Sequence, residues 1–229
     1  MNVHLSTKGR WVQMRLGVFG GSFDPVHYGH LLLAESCREQ LCLEKVLFVP
    51  AGQPPHKRQR QLTPAAHRLA MLELAIGGEP GFEVCRYEIE RREVSYTVET
   101  LRFLKGQFPQ AELFLLVGAD MLNDLPNWRE AAEICRLAIP VGVRRAGTPP
   151  PCLESLRAIM EPSRFEKLSR LQVDMPQIEL SASEIRARVA SGKSIRFRVP
   201  KAVEMYILHH GLYKDAPANG PVIKQSQVC

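Results

Sequence analysis

Gly20-Gly21-Ser22-Phe23-Asp24-Pro25-Val26-His27-Tyr28-Gly29-His30 joins a short apolar run, Leu16-Gly17-Val18-Phe19, to a leucine-rich amphipathic run over residues 31–41. That order reads as strand, glycine-rich turn, helix. Glycines let the backbone come close to a ligand, and a helix start offers unpaired N–H groups and a partial positive charge to an anion. Two imidazoles, His27 and His30, stand at that helix start. The turn therefore points to chemistry on a phosphate, not merely its storage. Gly20, Gly21 and Gly29 have the wrong spacing for the dinucleotide fingerprint G-x-G-x-x-G. Two other readings compete: a tight turn whose histidine only caps the helix, and a zinc pair. Cys37 and Cys42, further along the helix, read as core positions and leave the pair without a convincing third ligand.

Outward from the turn, strand and helix patterns alternate. Strands are expected over 15–20, 45–49, 82–88, 112–117 and 138–143, with a weak one over 171–174. Helices are expected over 29–40, 97–105 and 128–137, with a short one over 153–160. Thr63-Pro64 has the form of an N-cap followed by proline, opening a helix through His67, Leu69, Met71, Leu72 and Leu74 to Ile76. The run Glu112-Leu113-Phe114-Leu115-Leu116-Val117 suits a central parallel strand covered on both faces. Ser181-Ala182-Ser183-Glu184 fits a capping box for a helix that stops at Ser191-Gly192, and Pro200 opens a last helix ending at His210-Gly211.

The alternation implies an α/β fold: a doubly wound parallel sheet with a small C-terminal helical portion. Ligands of such sheets bind beyond the carboxyl ends of the strands, which puts the Gly20 turn, the Pro50 loop and the Gly118 turn on one rim. Residues 1–13 read as an N-terminal extension ahead of Met14, residues 14–214 as one domain, and residues 215–229 as a disordered polar tail.

A chain of 229 residues with 45% hydrophobic and 24% charged content is an ordinary globule. Its net charge of +6 favours an anionic partner. Nucleic acid is disfavoured, because the densest basic cluster, Lys57-Arg58-Gln59-Arg60, has no interleaved aromatics to stack bases. The six cysteines form no C-x-x-C pair, so neither a zinc framework nor a disulfide pattern is read. No apolar run approaches the roughly 18 residues of a membrane span, and residues 1–13 lack a signal-peptide core. A cytoplasmic location is the default expectation. A homo-oligomer is compatible with all of this.

The pattern G-x-F-D-P-x-H-x-G-H over residues 21–30 resembles the signature of the H-x-G-H nucleotidyltransferases. Further segments narrow the likeness to bacterial nicotinate-nucleotide adenylyltransferases. Pro50-Ala51-Gly52-Gln53-Pro54-Pro55-His56-Lys57 is similar to their P-x-x-x-P-P-H-K loop, and Ser95-Tyr96-Thr97-Val98-Glu99-Thr100-Leu101 to their S-Y-T-x-x-T-L segment. Val117-Gly118-Ala119-Asp120-Met121-Leu122, Leu125-Pro126-Asn127-Trp128 and Ile178-Glu179-Leu180-Ser181-Ala182-Ser183-Glu184-Ile185-Arg186 continue it, so that residues 16–213 are covered.

The resemblance implies a Rossmann-like enzyme that transfers the adenylyl group of ATP to nicotinic acid mononucleotide by direct in-line attack, releasing pyrophosphate. It implies Mg2+ arriving with ATP. His27, His30, Ser183, Arg186 and Lys57 would serve the phosphates. Gly20, Gly21, Ser22, Phe23, Gly29, Gly118 and Asp120 would bind ATP, and Tyr96, Thr97, Trp128 and Arg129 the mononucleotide. Each has a plainer reading: Ser183 as part of a capped helix start, Arg186 paired with Glu184, Asp120 as a cap, Trp128 as core. His56 and His67 read as surface or core-edge groups, and His209 and His210 as cations at a helix end. The chain departs from the family pattern at Arg91-Arg92-Glu93-Val94, at Arg129, at Ala182-Ser183 and at Arg144-Arg145-Ala146-Gly147. A sibling acting on pantetheine phosphate, cytidine nucleotides or flavin, a silent nucleotide sensor and a nucleic-acid binder are the rival functions.

Overall fold

Leu16, Val18 and Phe19 are all buried, so the strand carrying them is covered on both faces, as its near-continuous apolar character requires. A computed structural model describes residues 4–5, 11–52, 62–91, 94–145, 153–171 and 173–214. The elements in order are β1 (His4–Leu5), β2 (Trp11–Val12), β3 (Arg15–Gly21), α1 (Tyr28–Gln40), β4 (Lys45–Pro50), α2 (Ala65–Ile76), β5 (Phe82–Val84), α3 (Tyr87–Arg91) and α4 (Thr97–Gln107). There follow β6 (Glu112–Gly118), α5 (Ala119–Asp124), a 3-10 turn (Leu125–Asn127), α6 (Ala131–Leu137), β7 (Ala138–Arg145), α7 (Glu154–Arg157), α8 (Pro162–Ser169), β8 (Val173–Met175), α9 (Ala182–Ala190) and α10 (Lys201–His209).

β1 and β2 pair antiparallel, apart from the main sheet. The main sheet is parallel throughout, in the order β5-β4-β3-β6-β7-β8. Strand order thus reverses between β3 and β6, the doubly wound arrangement expected. Among the described residues no helix is long and apolar enough to cross a membrane.

Several boundaries differ from expectation for local reasons. The strand expected over 82–88 stops at Val84, and Tyr87–Arg91 turns into α3, whose first-turn Glu88 and Glu90 suit the positive end of a helix. Thr63 does not cap α2; Pro64 occupies that position, and the Thr63 N–H donates to the Asp24 carboxylate. The helix expected from Trp128 begins only at Ala131, because Trp128 caps the end of the 3-10 turn that holds Pro126 and Glu130 sits in the left-handed region at φ 54°. Helix α8, opened by Pro162, was not expected. His210 is the C-cap of α10, and desolvation first, then the neighbouring His209 and His67, push its pKa down.

Cys37 is buried as expected, but Cys42 lies beyond the end of α1 at φ 50° and is exposed. Burial drives the Cys37 thiol up to about 12 and the Cys135 thiol up to about 11. Native-state alkylation followed by peptide mapping is expected to label Cys42 and to spare Cys37 and Cys135 until the chain is denatured, since the thiolate is the nucleophile.

Candidate active site

Past the Val18–Leu115 pair, β3 and β6 part, whereas β3 stays paired to β4 as far as Gly21–Pro50 and β6 to β7 as far as Gly118–Val143. A crevice therefore opens between the carboxyl ends of β3 and β6, where such sheets take their nucleotides. Gly20, next to last in β3, and Gly118, the last residue of β6, stand on the parted strands, and a Cβ at either would meet nothing within 4 Å. Side-chain-free backbone on both sides lets a ligand come close.

The first helix start enters beside this crevice. His27 is the N-cap of α1 in extended conformation, and its backbone N–H donates to His30 Nδ1 at 3.2 Å. With Nδ1 accepting, the proton of neutral His30 resides on Nε2. The two imidazoles stack at 3.7 Å between centroids and 24° between planes. Phe23, expected in the ATP-binding set, is only 1% exposed. Its ring stands edge-on to His30 at 5.1 Å and packs on Phe19 and Phe48, so its side chain supports the histidine from below.

Gly29 shows why the motif needs a glycine between its histidines. A Cβ there would lie 3.0 Å from His27 Nδ1 and 3.1 Å from Cε1. The His27 ring has little room to give, being buried and stacked on His30. Gly29→Ala is expected to leave stability near wild type, because alanine regains about 1 kcal/mol of helix propensity, yet to lower kcat about tenfold by displacing the imidazole. Steady-state kinetics beside thermal unfolding checks this.

The second helix start is that of α9. Leu180 Cβ lies 3.7 Å from the position of a Gly29 Cβ, and the Tyr28 N–H donates to the Arg198 carbonyl at 3.1 Å. Ser181 Oγ accepts from the Glu184 N–H, the capping bond read in the sequence. Ser183 is exposed in the first turn. Arg186 is buried and donates to the Asp24 carbonyl, while Glu184 faces Arg198 at 3.5 Å. Arg186 thus reaches the back of the glycine-rich turn rather than Glu184.

Behind that turn lies a buried charged cluster. Arg68, 2% exposed, donates from Nε to the Thr63 carbonyl and from NH1 to the Ser22 carbonyl, both at 2.9 Å. The Asp24 carboxylate accepts from the Tyr213 hydroxyl at 2.8 Å and from the Thr63 N–H at 3.3 Å. Burial first, then the Asp24 charge, raise the Tyr213 pKa, and burial lowers that of Arg68 against the pull of Asp24. The sequence motif over residues 21–30 contains Asp24 without pointing to a role for it, and nothing in the motifs singles out Arg68 or Tyr213. The available signal was an arginine one turn ahead of Met71 and Leu72 on the buried stripe of α2.

The residues expected at the mononucleotide also gather. Tyr96 is the N-cap and Thr97 the first residue of α4, whose start has no side-chain cap. The Arg129 guanidinium lies 4.3 Å from the Tyr96 ring centroid. Trp128 Nε1 donates to Asp124 at 3.2 Å, and its ring packs against the core. Asp120 is exposed, two residues after Gly118. Lys57, His56 and Arg92 lie outside the described residues. Among the described residues no group of three or more His, Cys, Asp or Glu is placed to hold a metal ion.

The cytidylyltransferase-like family model matches residues 18–188. The chain is 46% identical over 209 residues to a probable nicotinate-nucleotide adenylyltransferase of Thermomicrobium roseum, covering 91% of this chain and 96% of that one. It is 44% identical over 201 residues to a protein of the same description from Thermus thermophilus, covering 88% and 100%. The solved Plasmodium falciparum nicotinic acid mononucleotide adenylyltransferase, complexed with NaAD, superimposes with a TM-score of 0.67 at 18% identity, over 88% of this chain and 98% of that one. That last likeness is one of fold.

Proposed function

We propose a function from one premise: the chain belongs to the cytidylyltransferase-like family and, within it, to the nicotinate-nucleotide adenylyltransferases. It transfers the adenylyl group of ATP to nicotinic acid mononucleotide, giving deamido-NAD and pyrophosphate in NAD biosynthesis. The observation that carries this reading is the crevice between β3 and β6, flanked by the convergent starts of α1 and α9.

In-line attack of the mononucleotide phosphate on the α-phosphorus needs placement and positive electrostatics, without a covalent nucleophile. The polyphosphate of ATP lies along Gly20, Gly21, Ser22, Gly29 and Gly118, with Asp120 at the ribose diol. His30, its proton on Nε2, and His27 beside it donate to oxygens on which negative charge builds in the transition state. Ser183 at the α9 start serves the leaving pyrophosphate. Arg186 adds its charge while holding the Asp24 turn. Lys57 is the further cation we assign to the phosphates. The divalent cation, Mg2+, belongs to the substrate, bound by ATP phosphates and water.

The nicotinate carboxylate is received by backbone N–H groups at the start of α4, near Tyr96 and Thr97, with Trp128 against the pyridine. Arg129, lying over Tyr96, supplies the charge that favours the acid over the amide. Arg129→Ala is expected to reduce the acid-over-amide ratio of kcat/KM about tenfold, the loss of one partly screened charge-assisted contact. An unchanged ratio clears Arg129 of the role. The reading as a whole is tested with purified chain, MgATP and either mononucleotide, scored for pyrophosphate. Folded protein that binds ATP and releases no pyrophosphate with nicotinic acid mononucleotide would overturn it.

A further inference from the structure

The steps above make no use of Glu88, a partly buried carboxylate in α3. Its partners come from separate stretches of chain. Thr100 Oγ1, in the first turns of α4, donates to Glu88 Oε1 at 2.7 Å. The Ser95 hydroxyl and the Gly52 backbone N–H donate to the same carboxylate. Packing at Gly52 is tight: a Cβ there would stand 2.2 Å from the Glu88 carbonyl oxygen and 3.1 Å from Ser95 Oγ. Arg91 adds a favourable charge while bonding the Tyr87 hydroxyl at 2.8 Å and Glu99 at 2.9 Å. Burial raises the Glu88 pKa, and these hydrogen bonds oppose the rise. Hydrogen bonds to a charged carboxylate are roughly twice as strong as neutral ones.

The donors bracket one place. Gly52 follows the end of β4, Ser95 immediately precedes the N-cap Tyr96, and Thr100 closes the first turn of α4. We propose that Glu88 is a positioning residue for the mononucleotide subsite: its carboxylate locks the start of α4 to the loop leaving β4, and thereby aims the Tyr96 and Thr97 backbone at the substrate carboxylate. This rests on the function proposed above. The phosphate turn is held by other groups, Arg68 and Asp24 among them, so loss of the Glu88 bonds falls on one substrate and not on both.

The test is the split between the two Michaelis constants in the full chain. Glu88→Gln keeps the shape and removes the charge. Its KM for nicotinic acid mononucleotide is expected to rise about tenfold, the worth of one hydrogen bond to a charged group. Its KM for MgATP and its kcat should stay within about twofold, as should those of Thr100→Val, whose mononucleotide KM also rises about tenfold for one lost bond to the charged carboxylate. Thr100→Ser, which keeps the hydroxyl, should restore the wild-type value. A mononucleotide KM that does not move, or both KM values rising together, would overturn the proposal. If Glu88→Gln does not fold, the Thr100 pair decides by the same criterion. Wild-type protein without turnover of the mononucleotide would sink this proposal and its parent together, whereas wild-type turnover with unmoved variants sinks this one alone.

Discussion

Replacing His30 by alanine is expected to lower kcat by about 10²–10³, the usual cost of removing one donor from a developing oxyanion. The structure divides this side chain into two functions. Nδ1 accepts the His27 N–H and so completes the N-cap of α1, a local bond worth about 1 kcal/mol of stability. Nε2 carries the proton, and that is the end assigned to the phosphates. His30→Asn separates the two, because its side-chain oxygen can stand where Nδ1 stood and nothing replaces Nε2–H. Asparagine should therefore recover the stability that alanine loses while kcat stays as low as in the alanine variant. Stopped assays of pyrophosphate release, with urea unfolding of the same samples, read both. A kcat loss under about threefold in His30→Ala would reduce the residue to a helix cap, far below the effect of an oxyanion donor.

Arg68→Met is expected to lower the unfolding free energy by about 3–5 kcal/mol, the range for breaking one partner out of a buried charged cluster. Methionine fills much of the space, so the loss is electrostatic. It takes one of two guanidinium groups away from Asp24, Arg186 being the other, and removes one donor each from the Ser22 and Thr63 carbonyls. Tyr213→Phe removes a single hydrogen bond to the same carboxylate and should cost less, about 1–3 kcal/mol. Because both act on Asp24, the double variant should lose less than the sum of the two. Urea denaturation of the four proteins measures the coupling. A loss below about 1 kcal/mol in Arg68→Met, the range of an exposed ion pair, would mean the cluster holds nothing together.

These two predictions differ in how much of each could be read from the chain. The paired histidines, the glycine between them and the strand–turn–helix order lie within one short stretch, where local backbone chemistry decides the outcome. Alternation of apolar strands and amphipathic helices announced the parallel sheet for the same reason: its period is written residue by residue. The misread boundaries arose where local signals compete. Thr63-Pro64 has the form of a cap, but the Thr63 N–H is drawn to Asp24. The strand pattern expected over 82–88 takes in Tyr87 and Glu88, but Glu88 is drawn into contact with Thr100 and Ser95 and both residues belong to α3.

The sequence by itself determined the fold class, the glycine-rich turn with its paired imidazoles and, through the ordered motifs from Ser95 to Arg186, the family likeness. These are properties of short segments whose chemistry does not depend on distant partners. Only the tertiary structure decided what stands behind that turn. Tyr213 meets Asp24 across 189 positions, and Arg186 reaches it across 162. Such pairs leave no periodic trace, since a buried arginine and a surface one look alike until the sheet folds and excludes water from one of them. The opening of β3 from β6 past Val18 and Leu115 is of the same kind. It follows from the twist and divergence of whole strands, and it turns a local phosphate turn into one wall of a site.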